Sequence, residues 1–237
     1  VVDPDPAQRV QLEAEFGVRT LAAADGSLRD ATLLVWAVKP QYFKAAALPV
    51  APHLGAALQL SVMAGIRSGA IAAATGGERV VRAMPNTPAL IGQGISGLYA
   101  RAGVDAAGRA EVEAVLAPTG RLLWFEREAD LDAVTALSGS GPAYVFFFAE
   151  AMVRAAVEMG LSEAQGRELA LATFAGAAAL AQGSADALDV LRERVTSKGG
   201  TTHAAITSLQ RDRVDAAFVG ALKAARDRAV ELGDEFG

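Results

Sequence analysis

From Leu169 to Leu180 the chain reads Leu-Ala-Leu-Ala-Thr-Phe-Ala-Gly-Ala-Ala-Ala-Leu, a run without a single charge and built mostly of small residues. Its pattern is helical, yet it offers no polar face to turn toward water. Such a helix needs cover on every side. The helical half that contains it has limited interior to give, so close packing against a second copy of the chain is the economical solution. At least a homodimer is expected through this half.

The two halves of the chain differ in periodicity. Before about residue 132, short apolar runs alternate with helical stretches. Pro6 to Phe16 is expected as a helix, capped by Asp5, with Pro6 in its first position and Gly17 closing it. Ala31 to Val38, Leu58 to Met63 and Arg79 to Met84 are strand-like, and they stop at Lys39-Pro40, Ala64-Gly65 and Pro85-Asn86. Strands alternating with helices predict βαβ units and a parallel sheet covered on both faces. In such sheets ligands lie beyond the carboxyl ends of the strands. After Asp132 strand alternation disappears. Ala143 to Met159, Ser162 to Ala181, Ala185 to Val195 and Thr202 to Leu232 read as helices, with a capping box at Ser162 and Gln165. The expected division is therefore an α/β domain over 1–131 and an all-α domain over 132–237.

Composition removes several functional classes. With 237 residues, 52% of them hydrophobic, the chain can bury the cores of two domains. The net charge of -5 and the lack of a dense Lys/Arg cluster argue against nucleic acid as a partner. The strongest apolar run, Tyr144 to Ala149, ends at Glu150 and is far short of a membrane span. No charged segment with a cleavage pattern marks a secretory signal. There is no cysteine, and His53 and His203 are the two histidines. That excludes disulfides and thiolate catalysis, leaves too few nitrogens for a His-built metal site, and fits a reducing cytoplasm.

Two glycine-bearing stretches carry chemical interest. In Val195-Thr196-Ser197-Lys198-Gly199-Gly200-Thr201-Thr202 the glycines permit a tight turn, and the threonines stand where a helix begins. Free amide N–H groups would converge there on a small volume suited to a phosphate or a carboxylate. An ordinary capped helix after a glycine turn is the alternative. Leu137-Ser138-Gly139-Ser140-Gly141-Pro142-Ala143-Tyr144 lacks the Lys-Ser/Thr ending of a P-loop and the spacing of a dinucleotide fingerprint. It reads as a close-packed turn between the halves, with a phosphate cradle as the second reading.

These pieces, together with Ala37-Val38-Lys39-Pro40, Met84-Pro85-Asn86-Thr87-Pro88 and the run from Asp132 into Leu137, occur in the order and spacing of pyrroline-5-carboxylate reductases, which the whole chain resembles. The resemblance implies reduction of the cyclic imine 1-pyrroline-5-carboxylate to L-proline by NADPH or NADH, the last step of proline synthesis. It implies a Rossmann-type first domain and an all-α dimerisation domain that interlocks with its twofold mate, commonly built further into a ring of dimers such as a decamer. The family's first strand, its G-x-G-x-x-G turn and its first helix have no counterpart, because residue 1 falls near the second strand. That piece is expected to precede residue 1.

Site residues follow from the residues and the resemblance together. The substrate carboxylate is expected at the amides of Gly199, Gly200, Thr201 and Thr202, with Ser197 beside them. The resemblance places the Thr202 hydroxyl at the ring nitrogen as orienter and proton relay. It also places Glu128 near the substrate ring, where a carboxylate would favour the cationic iminium. Cofactor contacts carry over to Ala37, Val38, Lys39 and Pro40, to Val62, Met63 and Ala64, and to Asn86. Asp3 stands where an acid would meet the adenine ribose hydroxyls and disfavour a 2′-phosphate, or else it only starts a helix. Arg194 would instead reward a phosphate. No metal is expected, since hydride transfer to a C=N carbon needs none.

Overall fold

The computed structural model describes residues 1–236. It contains two compact units, Val1–Gly139 with Arg226 onward, and Ser140–Ala225.

The first unit opens with helix α1, Pro6–Phe16, capped by the Asp5 carboxylate on the Ala7 amide and closed by Gly17 in the left-handed region. Val2 and Leu21 form an isolated parallel bridge apart from the main sheet. The sheet is built from β1 (Leu33–Trp36), β2 (Leu58–Ser61), β3 (Val80–Met84), β4 (Gly94–Ala100) and β5 (Gly120–Trp124), in that spatial order. Helix α2 (Phe43–Val50) connects β1 to β2, and α3 (Ser68–Thr75) connects β2 to β3. β1, β2 and β3 run parallel, as do β4 and β5, but β3 and β4 are antiparallel. The three strands expected to form a parallel sheet do so, and β4, which was not expected, enters with the one reversal. The reversal follows from the connection: a short turn, Thr87–Ile91, joins β3 to β4, too little chain for a crossover.

All four residues of β2 are buried, so the sheet is covered on both faces. One core layer gathers Trp36, Phe43, Ile66 and Ile71 under α2 and α3. The other gathers Leu58, Leu60, Leu98 and Val112 under α4, Ala106–Leu116. The unit ends with α5, Asp130–Val134, and a π-helical turn, Thr135–Gly139. Residues 132–139 therefore fall with this unit, beyond the boundary expected at 131/132. Asp132 is buried and ion-paired to Arg67, and Val134 sits where a Cβ on Gly97 would come within 2.8 Å.

The second unit is helical: α6 (Gly141–Glu158), α7 (Glu163–Gln182), α8 (Leu188–Arg194), α9 (Thr201–Arg211) and α10 (Val214–Phe236), whose end from Arg226 packs in the first unit. Both bonds of the capping box at Ser162 and Gln165 are present. A continuous helix was expected from Thr202 to Leu232, but Arg213 adopts φ 54° and splits it into α9 and α10. No glycine or proline marks the break. No helix among the described residues is long and apolar enough to cross a membrane.

Candidate active site

Because β1, β2 and β3 are parallel neighbours, Ala37-Val38-Lys39-Pro40, Val62-Met63-Ala64 and Pro85-Asn86 all emerge at the same edge of the sheet. The Val62 amide donates to the Trp36 carbonyl at 3.1 Å and holds the first two loops together. Behind them the Trp36 indole donates to the buried Gln59 oxygen at 2.9 Å, and the Gln59 amide donates to Thr75 and to the Gly77 carbonyl. A buried amide so fully partnered fixes the strand ends rather than costing stability. Ala37 and Ala64 are exposed and Met63 is buried. An edge with small exposed side chains lets a flat cofactor approach the backbone, so these residues fit a dinucleotide. Asn86 accepts from the Ile95 amide at 3.0 Å through its oxygen, which leaves its amide nitrogen as the group to contact a ligand.

Asp3 follows the Val2 bridge, and one of its oxygens accepts from the Asp5 amide at 2.8 Å in a local turn. Arg9 donates to the Asp3 and Pro4 carbonyls and stiffens the same turn. Gly92-x-Gly94-x-x-Gly97 has the glycine spacing of a dinucleotide fingerprint. It runs into β4 rather than from a strand into a helix, so it is no phosphate cradle. Its glycines serve packing, since a Cβ on Gly94 would lie 2.8 Å from the Ala89 backbone. The turn at Leu137–Ala143 is likewise a packing turn, where a Cβ on Gly139 would meet Met84 at 2.7 Å.

Glu128 is heavily engaged within the first unit. One oxygen accepts from the Ser68 amide at 2.6 Å and from the Arg82 guanidinium at 2.8 Å, and the other accepts from the Ser68 hydroxyl at 2.6 Å. Burial pushes the Glu128 carboxyl up, but the combined hydrogen bonds from Ser68 and Arg82 outweigh it and hold the group below its ordinary value. Burial likewise pulls Arg82 down against the raising effect of Glu128. Nearby, Arg67 and Asp132 form a two-pronged pair with both bonds at 2.9 Å. Ser68, Arg82, Arg67 and Asp132 were not singled out from sequence. They lie 46 to 65 residues from their partners, with no local pattern to mark them.

In the second unit, the loop 195–200 behaves as its glycines require. Gly199 takes φ 75°, and Gly200 is the N-cap of α9 without a side-chain cap. The Gly200 amide closes the turn on the Ser197 carbonyl at 2.9 Å, so it is spent internally instead of being free for an anion. The Thr201 and Thr202 amides belong to the first turn of α9, which has no intrahelical acceptors for them. Ser197, Gly199 and Thr201 are exposed, and Thr202 is half-buried. Arg194 is paired with Asp186, which occupies the cation that the sequence offered to a phosphate.

Helices α6 and α7 flank a groove of about 820 Å³ lined by Phe146, Val153, Val157, Glu150, Arg154 and Leu171. Phe147 and Leu180 are both more than 60% exposed in the single chain. An apolar area of that kind marks an interaction face. No grouping of three or more metal-binding side chains occurs among the described residues.

An α/β unit presenting strand ends to a dinucleotide, followed by a helical unit bearing an amide-rich loop, defines the class of dinucleotide-dependent reductases with a helical second domain. The family model for pyrroline-5-carboxylate reductase dimerisation matches residues 128–232. A pyrroline-5-carboxylate reductase of Pseudomonas aeruginosa is 44% identical over 237 residues, 99% of this chain and 87% of that protein. One from Haemophilus influenzae is 36% identical over 98% of this chain and 86% of that protein. The structure of a pyrroline-5-carboxylate reductase from Coxiella burnetii superposes with a TM-score of 0.90 at 33% identity, over 98% of this chain and 87% of that one. The crystal structure of the Plasmodium falciparum enzyme, with NADP bound, gives 0.85 at 28% identity, over 92% and 84%. The chain belongs to the pyrroline-5-carboxylate reductase family.

Proposed function

We infer that this chain reduces 1-pyrroline-5-carboxylate to L-proline with NAD(P)H, the reaction of its family, and that Thr202 and the turn before it handle the imino acid. The observation that carries the assignment is the uncapped start of α9 behind Gly199 and Gly200. Residues 1–131 supply the coenzyme surface, with Ala37–Pro40, Val62–Ala64, Asn86 and Asp3 as its contacts. The helical unit supplies the substrate loop and the face that meets a second copy.

Bound NAD(P)H supplies a hydride to the C=N carbon, and the ring nitrogen takes a proton. The Gly199, Thr201 and Thr202 amides, at the positive end of the α9 dipole, hold the substrate carboxylate beside Ser197. Thr202 offers its hydroxyl to the ring nitrogen, orienting the double bond and relaying a proton that enters from water, since a hydroxyl is a poor acid by itself. Holding both reactants in one geometry is the main contribution to rate.

The apolar groove and the bare helix α7 support a homodimer, and assembly of dimers into a ring such as a decamer is part of the same reading. A chain without cysteine suits the reducing cytoplasm. Initial rates with pyrroline-5-carboxylate and with its six-membered homologue, followed by NADH and NADPH oxidation side by side, test the function. Turnover of the five-membered ring is expected to dominate. Preference for the larger ring would overturn the substrate, and no oxidation with either would overturn the activity.

A further inference from the structure

We propose that Glu128 is a positioning residue for the loop Val62–Arg67, acting through Ser68 and Arg82 rather than on the substrate ring. The proposal rests on the reading that Val62–Ala64 faces the coenzyme.

The geometry of the loop carries it. Ser68 is the first residue of α3, and its N-cap, Arg67, makes no side-chain cap bond. The cap comes from outside: the Glu128 carboxylate takes both the amide and the hydroxyl of Ser68 at 2.6 Å. An anion at this end also meets the positive end of the helix dipole. The same carboxylate grips Arg82, which stands on β3 in register with Ser61, the last residue of β2. Glu128 thus ties the start of α3, and the loop leading into it, to the strand that ends at Met84.

Two further contacts hold the loop from other directions. Arg67 is clamped by Asp132, and Gly65, at φ 76°, lies against the end of α10, where a Cβ would come 3.3 Å from the Leu232 carbonyl. Only the stretch around Ala64 is left facing outward. A loop held at three points presents its backbone already ordered, so a ligand spends little affinity on arranging it. A role for Glu128 at the substrate ring fits these contacts poorly. Its charge is matched by a buried guanidinium at 2.8 Å, which leaves a small field with which to stabilise an iminium.

The test uses the full-length enzyme and four forms: wild type, Ser68→Ala, Glu128→Gln and Ala64→Glu. Binding of NADH and of NADPH is titrated by nicotinamide fluorescence without imino acid. Steady-state kinetics at saturating coenzyme then give kcat, and KM for pyrroline-5-carboxylate across pH. Ser68→Ala and Glu128→Gln are each expected to weaken coenzyme binding about tenfold, the equivalent of one hydrogen bond to a charged group. KM for the imino acid and its pH profile stay at wild-type values. If Glu128→Gln lowers kcat at saturating coenzyme and shifts that profile while Ser68→Ala changes nothing, Glu128 acts on the ring and the proposal is overturned. Should Glu128→Gln fail to fold, Ser68→Ala alone decides by its coenzyme affinity. Ala64→Glu places a side chain where the coenzyme would lie and is expected to abolish binding. Wild-type binding by Ala64→Glu would instead overturn the assignment of the loop to the coenzyme.

Discussion

Replacing Gly233 by alanine sets two effects of opposite sign against each other. Gly233 lies inside α10, and exchanging glycine for alanine within a helix ordinarily stabilises by about 1 kcal/mol. Here the new Cβ would fall 2.5 to 2.7 Å from three atoms of the Arg67 guanidinium, well inside contact distance. The guanidinium is a flexible end, so it can move, but it is bonded at both nitrogens to Asp132, which is 6% exposed. Moving it leaves a buried carboxylate short of partners, at about 2–3 kcal/mol for hydrogen bonds to a charged group. Partial exposure of the Arg67 side chain lowers that figure, since solvent supplies some compensation. The net expectation is a loss of about 0.5–1.5 kcal/mol, or about 1–6 °C in Tm for a chain of this size. Thermal denaturation of Gly233→Ala, Arg67→Ala and the double variant measures it as a cycle. In the Arg67→Ala background the clash is gone, so the same glycine exchange should turn stabilising. A rise in Tm for Gly233→Ala in the wild-type background would refute the claim that Arg67 is pinned.

Further outcomes follow from the site. Thr202→Ala should lower kcat by about one to two orders of magnitude, the worth of one placed donor, with the dimer intact by light scattering. Wild-type turnover would remove Thr202 from the mechanism. Gly199→Ala forces a side chain into φ 75°, which costs about 1–2 kcal/mol; it should raise KM for the imino acid while coenzyme affinity holds. The Glu128 carboxyl sits lower in the folded chain than its ordinary 4.5. Its contribution to stability is therefore complete above that value and is lost as pH falls through the folded value. Urea midpoints should drop on acidification below pH 4.5 in the wild type, and less steeply in Glu128→Gln. Leu180→Glu puts a charge on the exposed face of α7 and should yield monomers in sedimentation, whereas an unchanged dimer would place the interface elsewhere.

What the sequence discloses is what neighbouring residues decide among themselves. Asp5, Pro6 and Gly17 bound α1 because a cap, a fixed φ and a left-handed residue act within a few positions. The three parallel strands are legible because apolar residues dominate them, even though Gln59, Ser61 and Arg82 are buried among those residues. β4 and β5 escape the same reading. Gly94-Ile95-Ser96-Gly97 has poor strand propensity, and its glycines are there because Ala89 and Val134 leave no space for a Cβ, a fact of tertiary packing. The break at Arg213 is hidden for a related reason: a non-glycine residue holds a positive φ with no local cue. At the site, the turn at Gly199 is readable and the occupation of the Gly200 amide by Ser197 is not, since glycine composition permits a turn without saying which of its donors close it.

Glu128 shows the limit most clearly. Its charge and its place near the end of the sheet are equally compatible with a partner for an iminium and with a structural anchor. The donors that separate the two, Ser68 and Arg82, stand 60 and 46 residues away. A carboxylate is assigned by the groups that have already claimed its lone pairs, and only the folded chain brings those groups to it.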